Sequence, residues 1–205
     1  GYDPKGFDGL FGQGFKQAII DFQKFSCLTA DGYAGGQTWA SLLVSTGDQS
    51  RKGTACDCST TITTEKAATL KANGYKMVGR YLTGNFKMTY TEIETILSSG
   101  LNIFPIYETG GNKLAYFNQS QGESDAYKAT TVARNLGFPD NTIIYFTVDF
   151  DALGGDVTTA ILPYFEALHD AMTSIASKYR IGIYAPRSVC SSRSEEHTSE
   201  LQSQP

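Results

Sequence analysis

The chain has 205 residues, a formal net charge of −4, 40% hydrophobic residues and 12% aromatic ones, which is material for one medium domain and a small one. No basic run exceeds Arg51-Lys52, so nucleic acid is not an expected partner, and no apolar stretch approaches the length of a membrane span. The 12 Tyr and 12 Phe suit a protein that binds carbohydrate or peptide.

Taken in order, residues 1–45 contain an internal echo: Phe7-Asp8-Gly9-Leu10-Phe11-Gly12 returns as Ala30-Asp31-Gly32-Tyr33-Ala34-Gly35. Each Asp-Gly is a turn signal leading into a helix. Phe15, Ala18, Ile19 and Phe22 mark the apolar face of the first helix; Trp39, Leu42 and Leu43 mark that of a short second one, Thr38 to Leu43. Residues 46–53, polar and glycine-bearing, read as a linker.

Strand and helix then alternate. The spacing predicts strands over 55–59, 77–82, 101–108, 142–151 and 180–185, although Pro105 removes a ladder donor from the third. Between them lie a helix from a Thr64 cap to Asn73, one opened by a Thr91-x-x-Glu94 capping box, one along Ala126, Ala129, Val132, Ala133 and Leu136, and one along Ile161, Phe165, Leu168, Met172 and Ile175. Pro163 must sit in the first turn of the last or kink it. Such alternation predicts an α/β fold with a parallel sheet. No Gly-x-Gly-x-x-Gly follows any strand, which argues against a nucleotide binder.

The 142–151 stretch is the most informative. Ile144, Phe146 and Val148 share one parity and are large and apolar; Tyr145, Thr147, Asp149 and Asp151 share the other. Asp149 and Asp151 are expected about 6.5–7 Å apart on one face, near enough for one to raise the pKa of the other. Cys56 and Cys58 flank Asp57 with a single spacer and no nearby His, so no metal is expected there, and with Asp57 pointing inward both pack beneath helices as small hydrophobes. No cofactor is expected either. His169 reads as a surface or core-edge residue and not a ligand, and nothing is read from His197.

Two resemblances follow from these residues. Asp-Gly-Leu-Phe-Gly, Ala18-Ile19-Ile20-Asp21-Phe22-Gln23, Ala30-Asp31-Gly32-Tyr33-Ala34-Gly35 and Gln37-Thr38-Trp39 resemble the peptidoglycan-binding three-helix domain of cell-wall hydrolases, without its first helix. This implies peptidoglycan or another cell-wall glycan as partner and a secreted, wall-associated location, with any export signal upstream of the residues given. Residues 54–190 resemble the glycoside-hydrolase-like domain family related to family 25 lysozymes. The stretches that carry it are Ala55-Cys56-Asp57-Cys58-Ser59, Gly79-Arg80-Tyr81-Leu82, Phe104-Pro105-Ile106-Tyr107-Glu108, Ile144 through Asp151, and Gly182-Ile183-Tyr184. The implied architecture is a (β/α)8 TIM-type barrel, of which about five βα units are present, so the chain as it stands is expected to be inactive. Residues 191–205 resemble a translated sequencing-adapter tail and are expected to be non-native.

The resemblance implies hydrolysis of a glycosidic bond in peptidoglycan. Asp57 and Asp149 match lysozyme acids directly; Asp151 stands where those enzymes carry a glutamate, one methylene longer. Asp151, or failing that Glu108, is the expected general acid, with Asp149 stabilising developing positive charge and Asp57 orienting a sugar hydroxyl or water. Arg80, Tyr81, Tyr107 and Tyr184 are the expected substrate contacts. The alternatives are that Asp149 and Asp151 cap a helix or bind a cation, that Asp57 pairs with Arg80, that Glu108 is an ordinary strand-end acid, and that some of the tyrosines are core. At the level of the protein, the rival is a non-catalytic glycan-binding module on a degenerate barrel.

Overall fold

The computed structural model describes residues 5, 11–26, 28–43, 53–150, 152, 154–186 and 189–190, excepting the side chains of Ala40 and Leu43. Its contacts divide the chain into two compact units, one of them residues 53–185.

In the other unit, α1 (Gln13–Phe25) and α2 (Gly36–Leu43) are joined by the Asp31-Gly32 turn. Gly32 has φ +75°, and the Asp31 carboxyl accepts the Tyr33 N–H at 2.8 Å. That bond, with one from Gln23, holds the carboxyl below the usual aspartate range. The buried residues of α1 are Ile19 and Gln23, while Phe15 is exposed, as are Trp39 and Leu42 on α2. The turn is thus anchored by a polar residue: Gln23 Oε1 accepts the Gly32 N–H, and Nε2 donates to Asp31, to the Tyr33 carbonyl and to Thr38. The first Asp-Gly echo lies outside the described residues.

Residues 53–185 form an α/β unit. Five parallel strands, β1 (Ala55–Asp57), β2 (Met77–Tyr81), β3 (Asn102–Tyr107), β4 (Ile143–Thr147) and β5 (Arg180–Tyr184), lie side by side in chain order. Each crossover carries a helix: α3 (Thr64–Ala72), α4 (Tyr90–Ser98) and α5 (Gln119–Asn135), then a short turn α6 (Gly154–Asp156), a π-helical segment (Val157–Ile161) and α7 (Leu162–Ser174). The π segment ends at Ile161, and α7 begins at Leu162 with Pro163 in its first turn. A proline has no N–H for the fourth residue back, so the regular ladder is interrupted there.

Two helix starts differ from the sequence reading. Thr63, not Thr64, caps α3, and Thr89 caps α4 by accepting the Glu92 N–H at 3.2 Å. Glu92 is drawn into the core rather than back to its cap, and the Thr91–Glu94 pair falls inside the helix. The α5 helix starts seven residues before its apolar stripe, capped by Asn118. Gly122 lets α5 approach α7, since an added Cβ would overlap the Tyr164 carbonyl oxygen.

Pro105 lies in a central strand. The Ile106 carbonyl accepts Leu82 on the β2 side, so the preceding residue turns its nitrogen toward β4. The β3–β4 register there has only two paired positions, against five between β2 and β3. The missing donor therefore falls where the ladder is already short.

The helix-facing side of the sheet contributes Val78, Leu82, Ile144, Phe146 and Val148, and the helices contribute Ala126, Ala129, Ala133, Phe165 and Leu168, all buried; Val78 clusters with Ile62, Ala67, Ile96 and Leu101. Cys56 and Cys58 lie half-buried against Ile62, Ala67, Val78, Ile96 and Leu101, and burial pushes the Cys56 thiol up. On the opposite side, Phe104 and Tyr145 meet edge to face at 5.5 Å. Glycines make room for these rings: a Cβ on Gly79 would overlap Phe104, and one on Gly182 would come within 2.9 Å of Tyr145.

Candidate active site

The sheet is strongly curled, and one hydrogen bond proves it. Tyr184 ends β5 and Asp57 ends β1, the two edge strands, yet the Tyr184 hydroxyl donates to Asp57 Oδ1 at 3.3 Å. Four interstrand gaps in a flat sheet span about 19 Å, more than these two side chains together can bridge. Curling brings the C-terminal ends of all five strands around one concave mouth.

Asp57, Tyr81, Glu108, Asp149 and Tyr184 gather there. All five share the parity that carries Gly79, Phe104, Tyr145 and Gly182, so the ring-filled interior forms the floor beneath them. Their electrostatics show their proximity. The Glu108 carboxyl is raised above the usual glutamate range, first by burial and then by the negative charge of Asp149. The Tyr81 phenol is raised by burial, then by Glu108, Asp57 and Asp149. Tyr184 is pushed up to about 12, by burial first and the Asp57 charge second.

The backbone that holds the acids is itself fixed. The Asp149 N–H donates to the Gly111 carbonyl at 2.7 Å, tying the end of β4 to the β3–α5 connection. The Glu108 carbonyl accepts the Thr83 hydroxyl at 2.9 Å, tying β3 to the β2–α4 connection. Phe150 packs on Phe117 with ring centroids 5.7 Å apart, anchoring the residue beside Asp149.

Two expected substrate contacts are placed elsewhere. Arg80 is 1% exposed on the helix side of β2, where Nε meets Glu92 Oε1 at 2.6 Å, Nη2 meets Oε2 at 3.3 Å and the Phe86 carbonyl at 3.1 Å, and Nη1 bonds the Cys58 carbonyl. Strand parity explains it: Arg80 alternates with the mouth-facing Gly79 and Tyr81. The same fact rules out the Asp57–Arg80 pair, since Glu92 takes the guanidinium. Tyr107 is buried on the helix side and donates to Asp125 Oδ1 at 2.9 Å. Asp151 lies outside the described residues. Among the described residues no cluster of three metal-ligating side chains occurs, and no helix is long and apolar enough to cross a membrane.

Sequence reading missed Glu92 and Asp125, the two buried acids among the described residues. The signal for Glu92 was an acid on the apolar side of a helix, three residues after a threonine; for Asp125 it was an acid one residue before the Ala126–Ala129–Ala133 stripe.

Residues 1–42 match the "Putative peptidoglycan binding domain" family. The chain is 51% identical over 191 residues to FadG of Bacillus subtilis strain 168, and 49% identical over 208 residues to YbfG of the same strain, both described as uncharacterized. These alignments cover 90% and 95% of the chain but 33% and 28% of the relatives, so it spans about a third of their length. A crystal structure of an uncharacterized B. stearothermophilus protein superposes with a TM-score of 0.52 at 26% identity, covering 63% of this chain and 58% of that one. Residues 68–205 match the Rv2525c-like, glycoside hydrolase-like domain, and the chain belongs to that family.

Proposed function

We propose that residues 53–185 are part of a (β/α)8 barrel in a wall-targeted glycoside hydrolase, and that peptidoglycan or a related glycan is its substrate. The observation that carries this reading is Glu108, a half-buried carboxyl held toward its protonated form beside Asp149. Glu108 gives its proton to the glycosidic oxygen as the bond to the anomeric carbon breaks. Asp149 stabilises the positive charge that develops on the sugar. A water then adds to the anomeric carbon, losing its proton to a rim carboxylate. Asp57, oriented by Tyr184, holds a sugar hydroxyl or that water, and the rings of Tyr81 and Tyr184 offer faces to the pyranose. Asp151 is the alternative acid. The peptidoglycan-binding domain supports anchoring to the wall and hence an extracytoplasmic site of action.

Reducing-end release from purified peptidoglycan tests the proposal. It is measured on this chain and on a longer form in which the FadG sequence continues it past residue 190. Glu108→Gln and Asp149→Asn are each expected to lower release by about a hundredfold or more. Co-sedimentation with the wall without release, unchanged by Asp149→Asn, would instead identify a non-catalytic glycan-binding protein.

A further inference from the structure

Asp125 has no exposed surface, yet it carries a carboxylate with no cation beside it among the described residues. Oδ1 accepts the Tyr107 hydroxyl at 2.9 Å and Gln121 Nε2 at 2.9 Å; Oδ2 accepts the Tyr116 hydroxyl at 2.5 Å and the Tyr164 hydroxyl at 2.8 Å. The phenols are all driven up, by burial first and with Asp125 contributing in each case. A buried acid is a costly way to join two helices that already share an apolar contact.

The donors differ in what they hold. Tyr107 immediately precedes Glu108 at the end of β3. Tyr116 lies in the β3–α5 connection, and its hydroxyl also meets the Thr109 hydroxyl, next to Glu108 on the other side. The same connection supplies the Gly111 carbonyl that holds the Asp149 N–H, and Phe117, which holds Phe150. Gly111 sits so close to β4 that an added Cβ would lie 2.5 Å from the Thr147 carbonyl oxygen. The segments carrying Glu108 and Asp149 are therefore both tied back to one carboxylate. Tyr164 binds the same Oδ2 as Tyr116, but its helix, α7, carries neither acid.

We propose that Asp125 is a positioning residue for the Glu108–Asp149 pair, acting through Tyr107, Tyr116 and the β3–α5 connection to hold the two rim acids at a fixed separation. This rests on the hydrolase reading for its purpose, though not for its geometry. Tyr116→Phe deletes one hydroxyl while keeping the ring against Phe117 and Tyr164. Tyr164→Phe deletes the matched bond to Oδ2 and is the control.

The readout is the titration of the Glu108 side-chain carboxyl by 13C NMR on the whole chain, assigned by its loss in Glu108→Gln. Among the described residues, the ionisable groups in electrostatic contact with Glu108 are Asp149 and Tyr81. With the connection released, Asp149 moves away and water enters, so the Glu108 midpoint in Tyr116→Phe falls toward the ordinary glutamate range. In Tyr164→Phe it stays where it is, although thermal stability falls in both. Asp125→Asn gives the Tyr116→Phe result and serves if that variant does not fold. A midpoint unmoved in Tyr116→Phe, or moved equally in both phenylalanine variants, makes Asp125 a structural staple and overturns the proposal. On glycan, Tyr116→Phe in the form continued past residue 190 lowers kcat about tenfold with KM kept. Because the titration needs no turnover, a moved midpoint in this chain together with no glycan cleavage by the form continued past residue 190 refutes the hydrolase reading and leaves the positioning geometry standing.

Discussion

Arg80 offers the sharpest separation of a structural role from a substrate-binding one. Its guanidinium is 1% exposed and is satisfied by both oxygens of Glu92 and by the carbonyls of Cys58 and Phe86. Glu92 Oε1 also accepts the Ile62 N–H at 2.8 Å, so this acid joins α4 to β2 and to the β1–α3 connection. Glu92→Gln keeps the volume but removes the negative charge and one acceptor, leaving a buried cation uncompensated. Two charge-assisted bonds are weakened or lost, and removing one partner of a buried pair costs about 3–5 kcal/mol. For a unit of this size that lowers Tm by roughly 10–20 °C. The double variant Arg80→Met/Glu92→Leu leaves no orphaned charge and is expected to recover most of the loss. Urea denaturation of the three proteins checks the series. A loss below about 1 kcal/mol in Glu92→Gln, or a double variant no better than the single, refutes the argument that this pair is a closed internal staple.

Three further outcomes follow from the same contacts. The raised Glu108 carboxyl makes the folded state bind a proton more tightly than the unfolded chain does; its stabilising contribution is complete below the unfolded pKa and is lost as pH rises through the folded one. Glu108→Gln is therefore expected to be more stable than the parent at pH 7, with the gap closing toward pH 4, as read from thermal melts across that range. Gly122→Ala gains helix propensity but drives a methyl into the α7 backbone, so the net effect is a loss of about 1–3 kcal/mol in denaturant unfolding. Gln23→Leu leaves the nearby Gly32 N–H without its acceptor and is expected to destabilise the N-terminal unit by about 1–3 kcal/mol, seen as earlier loss of amide-exchange protection in α1.

The fold was legible because the strands announce themselves twice. Alternation in 143–148 separates a greasy face from a polar one, and glycines or caps close most of the helices between strands. Tyr81, Glu108, Asp149 and Tyr184 could be placed at the mouth by counting parity from those strands. The same count, applied to Arg80 and Tyr107, would have put both on the helix side, since each alternates with a residue assigned to the mouth. They were assigned by chemical type instead, and there the reading failed. Glu92 and Asp125 were harder, because a buried acid is recognisable only through its partners. Arg80 lies 12 residues before Glu92, and Tyr164 lies 39 after Asp125. Periodicity within one helix cannot contain a relation of that range.

The two buried acids and the rim acids follow one physical rule with opposite results. Glu92 and Asp125 are surrounded by enough donors to keep their oxygens occupied, so each fixes the backbone around it. Glu108 is half-buried beside another carboxylate, and there burial and charge act together to favour the proton. A fold that can saturate two interior acids with donors has the means to quench a third, yet at the mouth it sets Glu108 against Asp149 instead. That arrangement costs stability wherever Glu108 is ionised, and the cost is the reason to seek chemistry at this rim rather than at the better-buried Asp125.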